Sequence, residues 1–142
     1  MRLGFVAALA AIALSGCEQA ELSVSDAWVR MPAVEGRPGA AYFDVHGGAE
    51  ATSLLAVSTP AAVRTELHEM KHQNGMMTMS PLDDVAIPAT QTVKFEPGGK
   101  HIMLYDVSPS VRPGTKIPLR LSFADGKTVE VEAEVRAVGQ EK

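Results

Sequence analysis

Thr128-Val129-Glu130-Val131-Glu132-Ala133-Glu134-Val135-Arg136 alternates apolar and charged residues without a break. Side chains of a β-strand point alternately to its two faces. The Val and Ala positions, continued by Ala137, therefore look one way, and Glu130, Glu132, Glu134 and Arg136 the other. One buried and one solvated face is typical of antiparallel sheets. Working upstream, Ile117, Leu119, Leu121 and Phe123 alternate likewise, and Ala124-Asp125-Gly126-Lys127 reads as the hairpin turn between the two runs. Pro118 gives the earlier strand an edge position or an irregular start, because it has no N–H for a ladder. Ala40-Ala41-Tyr42-Phe43-Asp44-Val45 runs into a turn at His46-Gly47-Gly48, followed by a run through Leu54, Leu55 and Val57. Further strands are predicted at 22–24, 28–30, 63–70, 76–79, 92–95 and 101–107. Prolines punctuate these runs at 32, 38, 60, 81, 88, 97, 109 and 113, and no stretch keeps a helical period with caps. The reading is all-β, an antiparallel sandwich or barrel.

The chain is 142 residues long, which suits one domain. With 46% hydrophobic and 21% charged residues it has the composition of a globular protein, not of a disordered one. Thirteen basic against 17 acidic side chains, with few aromatics, exclude the basic footprint that nucleic acid requires. A single cysteine excludes an internal disulfide, a Cys-x-x-Cys redox pair and a cysteine-based zinc site.

That cysteine follows a short apolar stretch. Arg2 precedes residues 3–14, and Leu14-Ser15-Gly16-Cys17 comes next. Twelve residues are too few to span a bilayer, which takes about 20, but they fit the apolar region of a secretory signal. Leu14-Ser15-Gly16-Cys17 resembles a bacterial lipobox, in which the cysteine is acylated and becomes the mature N-terminus. An ordinary signal cleaved near Gly16, with an incidental cysteine, is the competing reading. We therefore expect a lipoprotein signal peptide at 1–16, a tether at 17–25 and a folded domain at 22–142, lipid-anchored and facing the periplasm. Loss of residues 1–16 removes Arg2 and leaves 12 basic against 17 acidic side chains.

Most of the seven methionines and four histidines crowd into residues 68–103. His68 and Met70 share a strand face with Arg64 and Glu66, while Val63, Thr65 and Leu67 take the other. Met79 follows beyond a turn at Gln73-Asn74-Gly75, and His101 and Met103 again lie two apart on one strand. Strand pairing can bring two imidazoles and two or three thioethers to one point. A thioether is neutral and soft, poor for Zn²⁺ or Mg²⁺ and good for Cu(I), and imidazole also suits copper. Read singly, Met76, Met77 or Met103 is core filler as readily as a ligand, and a lone histidine is more often hydrogen-bonded than metallated. His46, in a Gly-rich turn, keeps that plain reading. Two His-x-Met units with a methionine between them leave packing and copper both standing.

The array His68, ten residues, Met79, twenty-one residues, His101-Ile102-Met103 resembles the signature of the periplasmic PCu(A)C copper chaperones. Leu67-His68-Glu69-Met70, Ile87-Pro88-Ala89 and Pro97-Gly98-Gly99-Lys100 resemble that family's flanking sequence. Asp26-Ala27-Trp28-Val29-Arg30 and Gly39-Ala40-Ala41-Tyr42-Phe43 resemble its opening strands. The similarity runs over nearly all of 22–137. It implies a cupredoxin-like Greek-key β-barrel or sandwich, with one Cu(I) held by His68, Met79, His101 and Met103 and with Met70 accessory to them. It also implies delivery of copper for cytochrome c oxidase assembly, the partners being the oxidase's apo copper-site subunit or a thioredoxin-like Sco-type copper protein. Members with a His- and Met-rich C-terminal tail take Cu(II) there; this chain ends Val138-Gly139-Gln140-Glu141-Lys142, with neither residue. His72 and the pair Met76-Met77 add donors beside Met79, either as a landing site or as idle residues of an exposed hairpin.

Competing functions divide on particular residues. Envelope copper buffering or tolerance uses the same donors. A blue-copper electron carrier needs a Cys thiolate with two His, and beyond Cys17 there is none. A zinc hydrolase is disfavoured by the absence of an HExxH-type motif, and no nucleophile–base motif is present, so the chain is read as a non-enzyme.

Overall fold

The computed structural model describes residues 16–140, so the signal segment read at 1–16 lies, apart from Gly16, outside the described residues. Ten strands follow one another: β1 Ser23–Arg30, β2 Gly39–His46, β3 Thr52–Ser58, β4 Ala62–Gln73, β5 Met76–Pro81, β6 Val85–Ile87, β7 Thr92–Phe95, β8 Lys100–Val107, β9 Lys116–Phe123 and β10 Thr128–Arg136. No helix occurs among the described residues.

The strands form one sheet in the order β5-β4-β8-β2-β1-β10-β9-β3-β6, with β7 also pairing β2. All pairs are antiparallel except β1 with β10. The sheet curls until β3 meets β4, where the Thr65 hydroxyl donates to the Val57 carbonyl. Inside sit Val29, Phe43, Val45, Leu54, Ile102 and Leu121, all fully buried, with the Phe43 and Phe95 rings 4.6 Å apart. Closing a sheet on itself buries one face of every strand and removes most free edges, as an all-β chain of this length requires.

β10 alternates as its sequence predicts: Ala133 and Val135 are buried, and Glu130, Glu132 and Glu134 are exposed. Pro118 pairs with Glu132 on β10 but lies beyond Ser58↔Arg120, where the β3 pairing ends, so nothing asks it for an N–H on that side. The two strands expected at 22–24 and 28–30 are one strand, β1. A register shift between Ser25 and Trp28, with Asp26 at φ 54°, is a bulge that turns the strand without breaking it. β2 is buried on both faces, because Trp28 and Tyr42 stack on its outer side at 4.5 Å with the Arg136 guanidinium over Trp28. Val63, placed on the same face as Leu67, is 81% exposed although Leu67 is buried. The chain is already fixed to the domain at Ala20, whose carbonyl accepts from Ala49 N–H at 2.9 Å. Of the stretch expected as a tether, only residues 17–19 precede that contact.

Gly47 donates its N–H to the Gln91 carbonyl at 2.7 Å, and a Cβ on it would collide with the Pro88 carbonyl oxygen. A side chain at Gly99 would meet only ordinary contacts, the nearest at 3.5 Å. In urea unfolding of the metal-free protein, Gly47→Ala should cost about 1–3 kcal/mol or more. Gly99→Ala should be neutral or slightly stabilising, by about 0.4–1 kcal/mol. Equal midpoints for the two variants would contradict this packing.

Candidate metal centre

The residues of the centre are placed by two registers. Pairing of β4 with β8 sets His68 opposite His101 and Glu66 opposite Met103, while between them Leu67 faces Ile102 in the core. β5 returns along β4 after a two-residue turn at Asn74-Gly75, both with positive φ, which is the hairpin geometry that Asn-Gly favours. This sets Met79 opposite Met70 and Pro81 opposite His68. Residues directly opposite in an antiparallel pair share a face, so His68, Met70, Met79, His101 and Met103 project from one side of three adjacent strands. Met70, Met77, Met79, His101 and Met103 line a cleft of 410 Å³, together with Arg30. His68 stands beside the cleft, its ring centroid 5.9 Å from that of His101. Both imidazoles are buried, at 7% and 6% exposure, whereas Met79 is 48% exposed.

The rings differ in what holds them. His101 Nδ1 lies 3.1 Å from the Gly99 carbonyl, which can only accept, so Nδ1 carries the proton and Nε2 the lone pair. That Nε2 is 3.3 Å from Met79 Sδ. His68 does the opposite. Its Nε2 donates to the Glu66 carboxylate at 2.9 Å, and its Nδ1 is buried with no partner. Burial lowers the pKa of both imidazoles; Arg64 adds to the effect at His68, and at His101 the Gly99 hydrogen bond opposes it. Both rings are therefore neutral at neutral pH, each with one free lone pair.

Two lone-pair donors facing each other across 3.3 Å have no proton to share, and a cation resolves that contact. For metal–nitrogen and metal–sulfur bonds of about 2.0 and 2.3 Å, neighbouring tetrahedral donors stand about 3.5 Å apart. The Nε2–Sδ separation therefore fits a shared ion. Among the described residues no three His, Cys, Asp or Glu side chains are grouped to hold a metal. A complete donor set here requires thioethers, which favour a soft ion.

All four residues singled out in the sequence, with Met70, lie on this one face. What the sequence reading missed is the support of His68. Glu66 accepts from Tyr105 Oη at 3.2 Å and pairs with Arg64, whose guanidinium lies 3.9 Å from the Tyr105 ring centre. The Glu66-Leu67-His68 spacing carried the signal, since two residues apart on a strand means one face. His46 is held by Ser25 Oγ at 2.7 Å and Thr92 Oγ1 at 3.0 Å, away from the centre.

These hydrogen bonds set opposite tautomers on the two rings. Long-range ¹H–¹⁵N spectra of the metal-free protein should show His68 protonated at Nε2 and His101 at Nδ1. Glu66→Leu should release the His68 preference and leave His101 unchanged. Finding the same tautomer on both wild-type rings would contradict the assignment.

The family model described as "Putative lipoprotein LpqE-like" matches residues 22–135. "Putative lipoprotein Lxx21020" of Leifsonia xyli subsp. xyli is 35% identical over 117 residues, covering 81% of this chain and 69% of that protein. Among solved structures, Cu(I)-bound DR1885 of Deinococcus radiodurans superposes with a TM-score of 0.67 at 26% identity, over 90% of this chain and 87% of that one. The copper-bound PCuAC domain of PmoF2 gives 0.66 at 20% identity, over 84% and 97%. The ten-stranded sheet is thus the cupredoxin-like fold that the sequence motif implied, shared with the solved PCuAC domains, and the chain belongs to the LpqE-like family.

Proposed function

We propose that this protein binds one Cu(I) through His68, Met79, His101 and Met103 and passes it to an acceptor protein at the bacterial cell envelope. The observation that carries the reading is the face-to-face approach of His101 Nε2 and Met79 Sδ at 3.3 Å, on a strand face that also bears His68 and Met103. The donors are neutral and soft, which suits a singly charged d¹⁰ ion and gains little from a harder dication. Copper-bound relatives of the same fold support it. Met70, opposite Met79, supports the thioether side from the adjacent strand.

Transfer suits the site better than storage, because the thioethers are reachable from solvent. An incoming thiolate displaces Met79 and Met103 in turn, while the buried imidazoles keep hold until the last exchange. The acceptors in this reading are those of cytochrome c oxidase assembly: its apo copper-site subunit or a thioredoxin-like Sco-type protein. Cys17, exposed and three residues before the first contact with the domain, serves as the lipid anchor on the periplasmic side. The family's description as lipoproteins supports that placement.

Anaerobic titration should give one tight Cu(I) equivalent. Met79→Leu should weaken it by at least about tenfold, and Met76→Leu and Met77→Leu much less, since leucine keeps volume but offers no donor. Equal losses in the three variants would refute the ligand assignment.

The apo-protein should already be folded. Copper at 100 times its dissociation constant should then add about 2.7 kcal/mol to stability by mass action. A chain unfolded without metal, or one that prefers Zn²⁺, would overturn the reading. In cells, Cys17→Ser should accumulate unprocessed precursor; normal processing to a soluble form would remove the anchor from the proposal.

A further inference from the structure

The β4–β5 hairpin carries more donors than one ion uses, and the register sorts them. With a two-residue turn at Asn74-Gly75, Gln73 pairs with Met76, His72 with Met77, Lys71 with Thr78 and Met70 with Met79. Alternation puts Met70, His72, Met77 and Met79 on one face and Lys71, Gln73, Met76 and Thr78 on the other. Every residue on the first face is a soft or imidazole donor. Pairs flanking a two-residue turn alternate between hydrogen-bonded and non-hydrogen-bonded, and side chains stand closest in the second kind. His72↔Met77 and Met70↔Met79 fall in that second series, as does His68↔Pro81, where Pro81 has no N–H to offer.

This face continues without interruption into the centre. From the tip inward come His72 and Met77, then Met70 and Met79, then His68 opposite His101 on β8. The outer part of the path is open and its inner end closed: His72, Met77 and Met79 are exposed, Met70 is half-buried, and the imidazoles are buried. Met77 lines the same cleft as Met70, Met79 and His101. Met76, its chemical twin, is 68% exposed on the opposite face.

We propose that His72 and Met77 form a second, outer Cu(I) site through which the ion reaches and leaves the inner centre. The inference rests on the copper reading above and adds a route to it. One imidazole and one thioether hold Cu(I) in low coordination and weakly, which is what a transient stop needs. Successive pairs on a strand face are about 7 Å apart, so an ion on the outer pair is held at high effective concentration beside Met70 and Met79. Passage is ligand exchange alone: a Cu–S bond to Met79 or Met70 forms as the bonds to His72 and Met77 break. The ion stays Cu(I), and no proton or electron moves.

The test uses the full processed chain with methyl-labelled methionine, titrated anaerobically with Cu(I) and in parallel with Ag(I) as a redox-inert stand-in. The first equivalent should move the Met79 and Met103 methyls. A second, weaker equivalent should move the Met77 methyl and the His72 ring and leave Met76 in place. The double variant His72→Asn with Met77→Leu should lose the second equivalent and load the first about tenfold more slowly by stopped flow. Its first-equivalent affinity and melting temperature should stay at wild-type values, and Met76→Leu should change none of these. A second equivalent that moves Met76 as much as Met77, no second equivalent at all, or wild-type loading by the double variant would each overturn the outer site and leave the inner one standing. Absence of even the first equivalent would overturn the copper reading itself.

Discussion

The centre depends on the register that sets His68 against His101. Because the strand period is two, a slip of one residue on either strand exchanges the faces. The imidazoles would then enter the core, and Leu67 or Ile102 would go to the cleft. Leaving such a side chain exposed forfeits about 1.5–3 kcal/mol, and a buried imidazole without a partner costs more. Leu67 and Ile102 therefore hold the histidines in place from behind, as members of the core cluster. The barrel closure at Thr65 and Val57 ties β4 from its other side. The second register, of β4 with β5, rests on Asn74-Gly75. A different turn length would exchange Met77 for Met76 and Met79 for Thr78, removing the β5 sulfur that stands at His101 Nε2.

Electrostatics around the centre follow from who occupies the carboxylate on the His68 face. Glu66 accepts from His68 and Tyr105 and pairs with Arg64, so its charge is spent on orienting a ring and not on attracting a dication. A second guanidinium, that of Arg30, also lines the cleft, and its field acts on His101. Neutral donors without a carboxylate among them make a poor site for a hard divalent ion and a better one for a soft monovalent ion. This preference comes from the whole neighbourhood and not from the donors alone.

Much of this was legible in the sequence because period-two patterning carries it. The alternation of β9 and β10 and the turn at Asp125-Gly126 were readable residue by residue, as was the hairpin turn before Met76. The common face of His68 and Met70, and of His101 and Met103, follows from spacing alone. Other elements were not legible, for physical reasons. β6 is three residues long, Val85–Ile87, too short for any period. The β1 bulge depends on Asp26 taking a left-handed conformation that its residue type permits but does not announce. Val63 shares a face and an apolar side chain with Leu67, and only the structure shows that it is exposed. The choice of ring nitrogen, and the separation of Met77 from Met76, needed the register and the hydrogen bonds.

The two halves of the centre stand on unequal ground, and the delivery proposed for it draws on that inequality. The histidines sit on β4 and β8, strands paired on both sides and backed by the core. Met79 sits on β5, a terminal strand of the sheet order, which among the described residues pairs only with β4. Local opening costs least where few buried contacts are broken, so opening costs less at the hairpin than at the imidazoles. Methionine adds its own freedom, with three rotatable bonds and little directional demand at sulfur. A site built wholly on β4 and β8 would be rigid and closed, and one built wholly on the hairpin would be open and weak. Joining them gives an ion a fixed side to rest on and a yielding side from which to be taken.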